Sequence, residues 1–415
     1  MGELSRSAPR DREHGDTVAI CRDCGLSQRL VHAPLVECDR CGATLERRRG
    51  RSLRASLALS IAVLALLIPG NLATFLSTEI LGVSRHSHLV SAADVMAKDG
   101  MVLLAAFIFL FAVLFPLVRF ATLTAVLGAL ELGRNPRWLG AAFRTSVVLQ
   151  TWAMPDVFLL GLAIAYARLA SSISTHIHTG ALCFIAAGIL SLFVRAVLDE
   201  QAVWRRILPD AEGVSGEHDI NCYTCEMVVP RDHAGKPCPR CGATVTRRLR
   251  ESLSRTVALT LAGLLLYIPA NLYPLATLPI GTKPTQYTVI EGVLDLVQAK
   301  LWALAGVVFV ASFLIPTLKL VGLGWCVLSV LRRSDKRLVA KTRVYRVVEE
   351  IGRWSMVDPF VIGCFVPVMG YNAFIYGRAG PAALPFTLVV VLTIISAKTF
   401  DPRLMWDAAG TQNDR

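Results

Sequence analysis

Apolar residues in this chain run in long unbroken stretches, and the polar residues gather between them. The stretches predict helices near 53–76, 101–131, 145–168 and 177–198, and again near 253–278, 300–331, 349–376 and 382–400. Several approach or exceed the roughly 18–20 apolar residues with which a helix crosses a bilayer. Continuous apolarity, without a two-residue alternation, favours helices over barrel strands. The pattern therefore predicts an all-α integral membrane protein with eight spans.

The second set of stretches repeats the first. Ile68-Pro69-Gly70-Asn71-Leu72 returns as Ile268-Pro269-Ala270-Asn271-Leu272, and Phe115-Pro116-Leu117-Val118-Arg119 as Ile315-Pro316-Thr317-Leu318-Lys319. Trp152-Ala153-Met154-Pro155-Asp156 returns as Trp354-Ser355-Met356-Val357-Asp358, and Asp199 and Trp204 as Asp401 and Trp406. The offset stays at 200–202. These are two complete copies of one unit.

Each copy opens with a four-cysteine knuckle. Cys21, Cys24, Cys38 and Cys41 form the first, and Cys222, Cys225, Cys238 and Cys241 the second, each closed by Gly-Ala-Thr and an arginine run. Two CxxC pairs at this separation suit a tetrahedral thiolate site, each pair supplying two ligands. Reduced thiolates fit the cytosol, where disulfides are rare. Structural zinc is expected, two ions in all, with rubredoxin-like iron as the alternative that ligand type leaves open. The predicted organisation is a knuckle at 17–50, a four-helix unit at 51–205, a linker at 206–217, a second knuckle at 218–250 and a second unit at 251–408.

Composition agrees with a membrane protein: 54% of residues are hydrophobic and mean hydropathy is +0.52. The net charge of +12 invites a nucleic-acid reading. However, the basic residues cluster at the ends of apolar stretches, where they hold a loop on the cytoplasmic side. Arg47, Arg48, Arg49, Arg51 and Arg54 precede the first span, and Arg247, Arg248, Arg250 and Arg255 the fifth. Further clusters follow the second and sixth spans, whereas the opposite loops hold only a few, such as Arg85, Lys98, Lys283 and Arg378. Both knuckles and both termini are therefore expected in the cytoplasm, and no nucleic-acid partner is expected. The charged N-terminus leads into the first knuckle with no apparent cleavable leader.

Four ionisable residues fall inside predicted spans. Arg119 and Asp156 stand at similar depth on neighbouring spans of the first unit, as do Lys319 and Asp358 in the second. A charge at the bilayer centre costs at least about 2.5–3.5 kcal/mol, so it normally faces a partner or a wet cavity. Each pair is expected to supply that partner. The second unit adds Ser312, Ser355 and Thr393, where Ala112, Ala153 and Leu192 are expected at the matching positions of the first. That asymmetry points to a functional polar site in the second unit and an architectural pair in the first. Asn71 and Asn271 are expected to cap or kink outer helix ends. His86, His88, His176 and His178 are expected to be solvated loop residues, and Cys183, Cys326 and Cys364 small buried apolar residues. No nucleotide-binding fingerprint or hydrolytic motif is found, so no catalytic role is expected.

The duplicated CxxC units, the IPxNL turn, the P-x-x-[RK] helix, WxMxD[PV]F and the terminal FDPRLMW segment together resemble the paraquat-inducible protein A family, especially its lipophilic envelope-spanning tunnel branch. The resemblance covers Cys21 to about Trp406. It implies a Gram-negative inner-membrane protein that works with a periplasmic MCE-domain tunnel protein in moving phospholipid between the two membranes. It also implies zinc ribbons at the knuckles and tetraspanin-like four-helix bundles. The family's transport-linked polar cluster maps onto Ser312, Lys319, Ser355, Asp358 and Thr393.

Overall fold

The computed structural model describes residues 18–30, 33, 35–47, 52–80, 83–98, 100–170, 174–209, 219–280, 283–357, 359–361 and 378–410. Asp358 and Cys364 lie outside these residues, as do the expected seventh span beyond 361 and the linker beyond 209.

The first ribbon consists of two antiparallel hairpins, β1 (Val18–Ile20) with β2 (Ser27–Arg29) and β3 (Leu35–Glu37) with β4 (Thr44–Arg47). The first unit then runs α1 (Leu53–Leu72), β5 (Leu76–Ile80), β6 (Val83–Ser87), α2 (Leu89–Lys98), α3 (Val102–Ile108) and α4 (Phe115–Glu131). It finishes with α5 (Leu139–Leu149), α6 (Pro155–Ala170), β7 (Ser174–Ile177), α7 (Thr179–Val197) and α8 (Glu200–Ile207). Among the described residues the second unit follows the same order, with most of the counterpart of α6 outside them. Its ribbon carries β8 (Ile220–Asn221) and β9 (Val228–Val229), followed by α9 (Ser252–Leu272), β10 (Ala276–Ile280), β11 (Lys283–Tyr287) and α10 (Val289–Gln298). Then come α11 (Trp302–Phe309), α12 (Ile315–Leu331), α13 (Leu338–Ile351), β12 (Arg378–Ala379), α14 (Ala383–Thr399) and α15 (Arg403–Ala408).

The second span of each unit is continuous but irregular. A π-helical stretch, Phe109–Leu114 or Val310–Leu314, joins α3 to α4 and α11 to α12. Each stretch ends just before a proline, Pro116 or Pro316. Proline has no N–H to donate and its ring clashes with the carbonyl four residues back, so the helix widens there.

The all-helical expectation needs correction, since short strands stand between the helices, and the described residues carry five of the eight expected spans at full length. Among the described residues, five helices are long and apolar enough to cross a membrane: Leu53–Leu72, Val102–Glu131, Thr179–Val197, Ser252–Leu272 and Trp302–Leu331. Leu139–Leu149, Pro155–Ala167 and Ala383–Thr399 are apolar but shorter. The expected span at 145–168 is broken at Gln150–Met154 because Pro155 starts a new helix, and the residue before a proline disfavours the α conformation. The first and fifth spans stop at Leu72 and Leu272, and the chain turns into strands. Asn71 and Asn271 donate their side-chain amides to the carbonyls of Leu67 and Tyr267, at 2.6 and 2.8 Å, within the last turn. The strands build two three-stranded sheets, ordered β6-β5-β7 and β11-β10-β12. Hence two of the four histidines are not on loops. His86 and His176 lie on strands, and His178 meets the Ser77 hydroxyl at 2.6 Å.

Within each unit the first helix packs chiefly on the last long apolar one, α1 on α7 and α9 on α14. Between units, α6 lies against Val357 and Phe360, where a Cβ on Gly161 would come within 3.1 Å of Phe360.

Candidate metal centres and inter-unit polar site

Each CxxC turn is closed by a left-handed residue. Gly25, Gly42 and Gly242 have φ of 76°, 66° and 69°, and Glu226 takes the same conformation at 59°. The turn brings the two cysteines of a knuckle onto one side, and in the first ribbon the Gln28 side chain ties the two hairpins together, donating to the Glu37 carbonyl and accepting from the Asp39 N–H, each at 3.1 Å. In the first ribbon Cys21 and Cys41 Sγ lie 3.6 Å apart and Cys24 and Cys38 Sγ 3.5 Å. In the second, Cys222–Cys241 is 3.5 Å and Cys225–Cys238 is 3.6 Å. All eight cysteines are buried and free of disulfides. Four Sγ atoms within 4.8 Å of one another form a set able to hold a metal ion in each ribbon. Zinc–thiolate bonds of about 2.3 Å place tetrahedral sulfurs about 3.8 Å apart, close to these separations.

The ribbons are exchanged between the halves. The first packs on the second unit: its cysteines share an apolar cluster with Cys326, Leu338, Tyr345, Phe400, Met405 and Trp406. Arg346 of α13 donates to the carbonyls of Cys41 and Gly42 and pairs with Asp23 at 3.0 Å. The second ribbon sits on α5, so closely that a Cβ on Gly140 would fall 1.9 Å from the Arg240 carbonyl oxygen. The ribbons also touch each other. Asn221 donates to the Ile20 carbonyl at 3.0 Å, and Arg22 lies over the Tyr223 ring at 4.5 Å. Arg403 reaches both, through the Arg22 carbonyl and the Asn221 side chain, each at 2.9 Å. Among these groups, burial pushes the Asp23 carboxyl and the Tyr223 hydroxyl up from their ordinary values.

Lys319 is fully buried in α12 and donates to the Ser355 hydroxyl at 2.9 Å and the Gly352 carbonyl at 3.2 Å. Ser355 itself donates to the Gly352 carbonyl at 2.7 Å, so one 3₁₀ turn, Gly352–Met356, holds the ammonium. Ser312 is fully buried with no partner for its hydroxyl. Thr393 is equally buried and bonds back to the carbonyls of Val389 and Val390. Lys319 and Ser355 are thus brought into contact, whereas the Thr393 hydroxyl is engaged within its own helix.

Two expectations about the first unit are corrected. Arg119 and Asp156 do not pair with each other. Arg119 donates to the Gln150 side chain at 3.3 Å, and Asp156 lies 3.9 Å from Arg353 of the other unit. The depth match assumed an unbroken helix; the break instead places Asp156 in the first turn of α6. A carboxylate is favoured at that helix end. Second, the counterpart of Thr393 is Ser191, because the 202-residue offset of Asp199 and Asp401 applies throughout these helices. Ser191 is 1% exposed, while Leu192 points outward. The hydroxyl asymmetry therefore rests on Ser312 and Ser355.

Between the units, at the ribbon-side ends of α7 and α14, lies a cavity of about 240 Å³. Its lining includes Gln150, Arg195, Lys319, Glu350, Arg353 and Lys398. Arg353 was the residue most readily missed from sequence: it stands one position before the recurrent Trp354 motif, where the first copy has Thr151. A charged residue on only one side of a repeat is the signal that could have revealed it.

Comparison with known proteins places these features in context. The profile of a family described as paraquat-inducible protein A matches residues 53–208 and 253–410. The chain is 30% identical to the intermembrane transport protein PqiA of Escherichia coli K12 over 96% of its own length and 97% of the relative's. It is 28% identical to the lipophilic envelope-spanning tunnel protein A of the same organism, over 91% and 88% of the two chains. A probable intermembrane transport protein of Haemophilus influenzae is 27% identical over 89% and 90%. Identity thus does not single out the tunnel branch. No solved structure matches.

Proposed function

The chain belongs to the paraquat-inducible protein A family, and from that membership and its architecture we infer a component of intermembrane lipid transport. In this reading it sits in the bacterial inner membrane and passes phospholipid to or from a periplasmic MCE-domain tunnel protein. The observation that carries the reading is similarity over nearly the whole chain to relatives named for intermembrane transport and for an envelope-spanning tunnel. Apolar helices long enough to cross a membrane support it.

Both ribbons hold structural zinc and face the cytoplasm, while the two three-stranded sheets face the periplasm. Basic residues gathered on the ribbon side support that orientation. The transport site is the second-unit cluster of Ser312, Lys319, Ser355, Asp358 and Thr393. A buried cation held by neutral oxygens is the kind of intramembrane group that marks a substrate or ion pathway.

Crosslinking and co-purification from an envelope test the central claim. An MCE-domain protein and phospholipid should accompany the chain, and recovery of neither removes it. Orientation is tested with cysteines at Glu291 and Arg134, both exposed. An impermeant maleimide on spheroplasts should label only the first.

A further inference from the structure

We propose that the cavity between the two units binds the phosphate and primary amine of an aminophospholipid headgroup, a proposal that rests on the lipid-transport reading above. Position is the first argument. Arg195 and Lys398 sit in the last turns of α7 and α14, at the ribbon-side membrane boundary where headgroups lie. From there the lining continues inward to the buried Lys319.

Chemistry is the second. The Nε and Nη1 atoms of Arg353 are buried and have no hydrogen-bond partner. Its Nη2 pairs with Glu350 at 3.3 Å, and Asp156 lies 3.9 Å from Nη1. A phosphate on the Nε–Nη2 edge of the guanidinium would satisfy the free Nε–H and draw Nη2 from Glu350, in the fork geometry that arginine offers to phosphate. Glu349 and Glu350 line the same cavity, Glu349 paired with Lys398 at 2.8 Å and Glu350 with Arg353, so an ammonium beside the phosphate would take over a carboxylate that the phosphate frees. A zwitterion matches both charges.

The third argument is that the fold does not require these charges. Counterparts of Glu349, Glu350, Arg353 and Lys398 in the first unit are Val147, Val148, Thr151 and Ala196. The same helices form there without them.

The full chain in detergent is titrated with dihexanoyl phosphatidylethanolamine, dihexanoyl phosphatidylglycerol, phosphoethanolamine and inorganic phosphate, with binding followed by calorimetry. The phosphatidylethanolamine should bind most tightly. Arg353→Gln should weaken it at least tenfold, and Glu350→Gln should narrow its advantage over phosphatidylglycerol. Should Arg353→Gln impair folding, Thr151→Phe fills the cavity from the other unit without removing a charge, and it should also abolish binding. Phosphoethanolamine binding as tightly as the lipid would make this a site for a free metabolite and overturn the headgroup assignment. Equal binding of inorganic phosphate, or unchanged binding in both variants, would overturn the site. Loss of the site with lipid transfer intact leaves the transport reading standing, and binding without transfer does the reverse.

Discussion

Lys319 and its hydroxyl neighbours differ in what each can lose. Ser355 accepts from a buried ammonium, and a hydrogen bond to a charged group contributes about 1.5–3 kcal/mol. Ser355→Ala should therefore lower both abundance and transport. Ser312 has no partner, and leaving a buried polar group unsatisfied costs about 1–3 kcal/mol. Ser312→Ala should leave abundance equal or raised. If it still impairs envelope-barrier complementation, the hydroxyl acts in transport; normal complementation would reduce Ser312 to a packing residue. At this scale the sequence was legible where chemistry is local. The eight cysteines are read directly from spacing, because a CxxC turn leaves its two thiols little choice of direction. Ion partners were not, since Arg119 finds Gln150 and Asp156 finds Arg353 only after the helix break and the meeting of the two halves.

Elements were legible in kind but not in continuity. Long apolar runs locate the membrane helices well, and the repeat locates them twice. The break at Gln150–Met154 was announced by Pro155, yet a run of apolar residues on either side masks it. The short sheets were hidden because Ala276–Ile280 extends the apolar run before it and Leu76–Ile80 is too short and polar to stand out as a strand. One helix end carries a testable cap. Thr288 and Glu291 form a reciprocal capping box at the start of α10, and hydrogen bonds from the Thr288 backbone and hydroxyl hold the Glu291 carboxylate below its ordinary value. Its folded pKa is depressed, so its contribution is present above the unfolded value and lost as pH falls through the folded one. Thr288→Ala should speed amide exchange in α10 at neutral pH, and the difference from wild type should shrink in acid. Equal exchange rates at neutral pH would show that the cap is idle.

For the whole molecule, the exchanged ribbons make metal and membrane units interdependent. Closed four-thiolate sites contribute on the order of 10–16 kcal/mol in small zinc domains. Cys38→Ser should lower abundance and loosen the second unit around Trp406 and Tyr345, whereas Cys241→Ser should loosen the first around α5. Limited proteolysis distinguishes these outcomes, and full metal content in either variant would contradict the ligand assignment. Metal analysis and a visible spectrum separate zinc, which is colourless, from iron. Gly140→Ala probes the second docking alone. No rotamer can relieve a Cβ that would lie 1.9 Å from a backbone carbonyl, so the ribbon must shift. It should dissociate more readily while α5 stays helical. Ribbon exchange had no sequence signature, because the contacts join Cys41 to Arg346 across 305 positions.

That separation has a consequence for synthesis. The chain emerges from its N-terminus, and the seat of the second ribbon, α5, is complete before that ribbon is made. The first ribbon meets the opposite order: its seat, Leu338 to Trp406, is among the last segments translated. It must fold and wait, its apolar docking surface exposed, while nearly the whole protein is inserted. A chain stopped after the sixth span would keep its second ribbon seated and leave its first without a berth, so completion of the C-terminal helices is what closes the molecule.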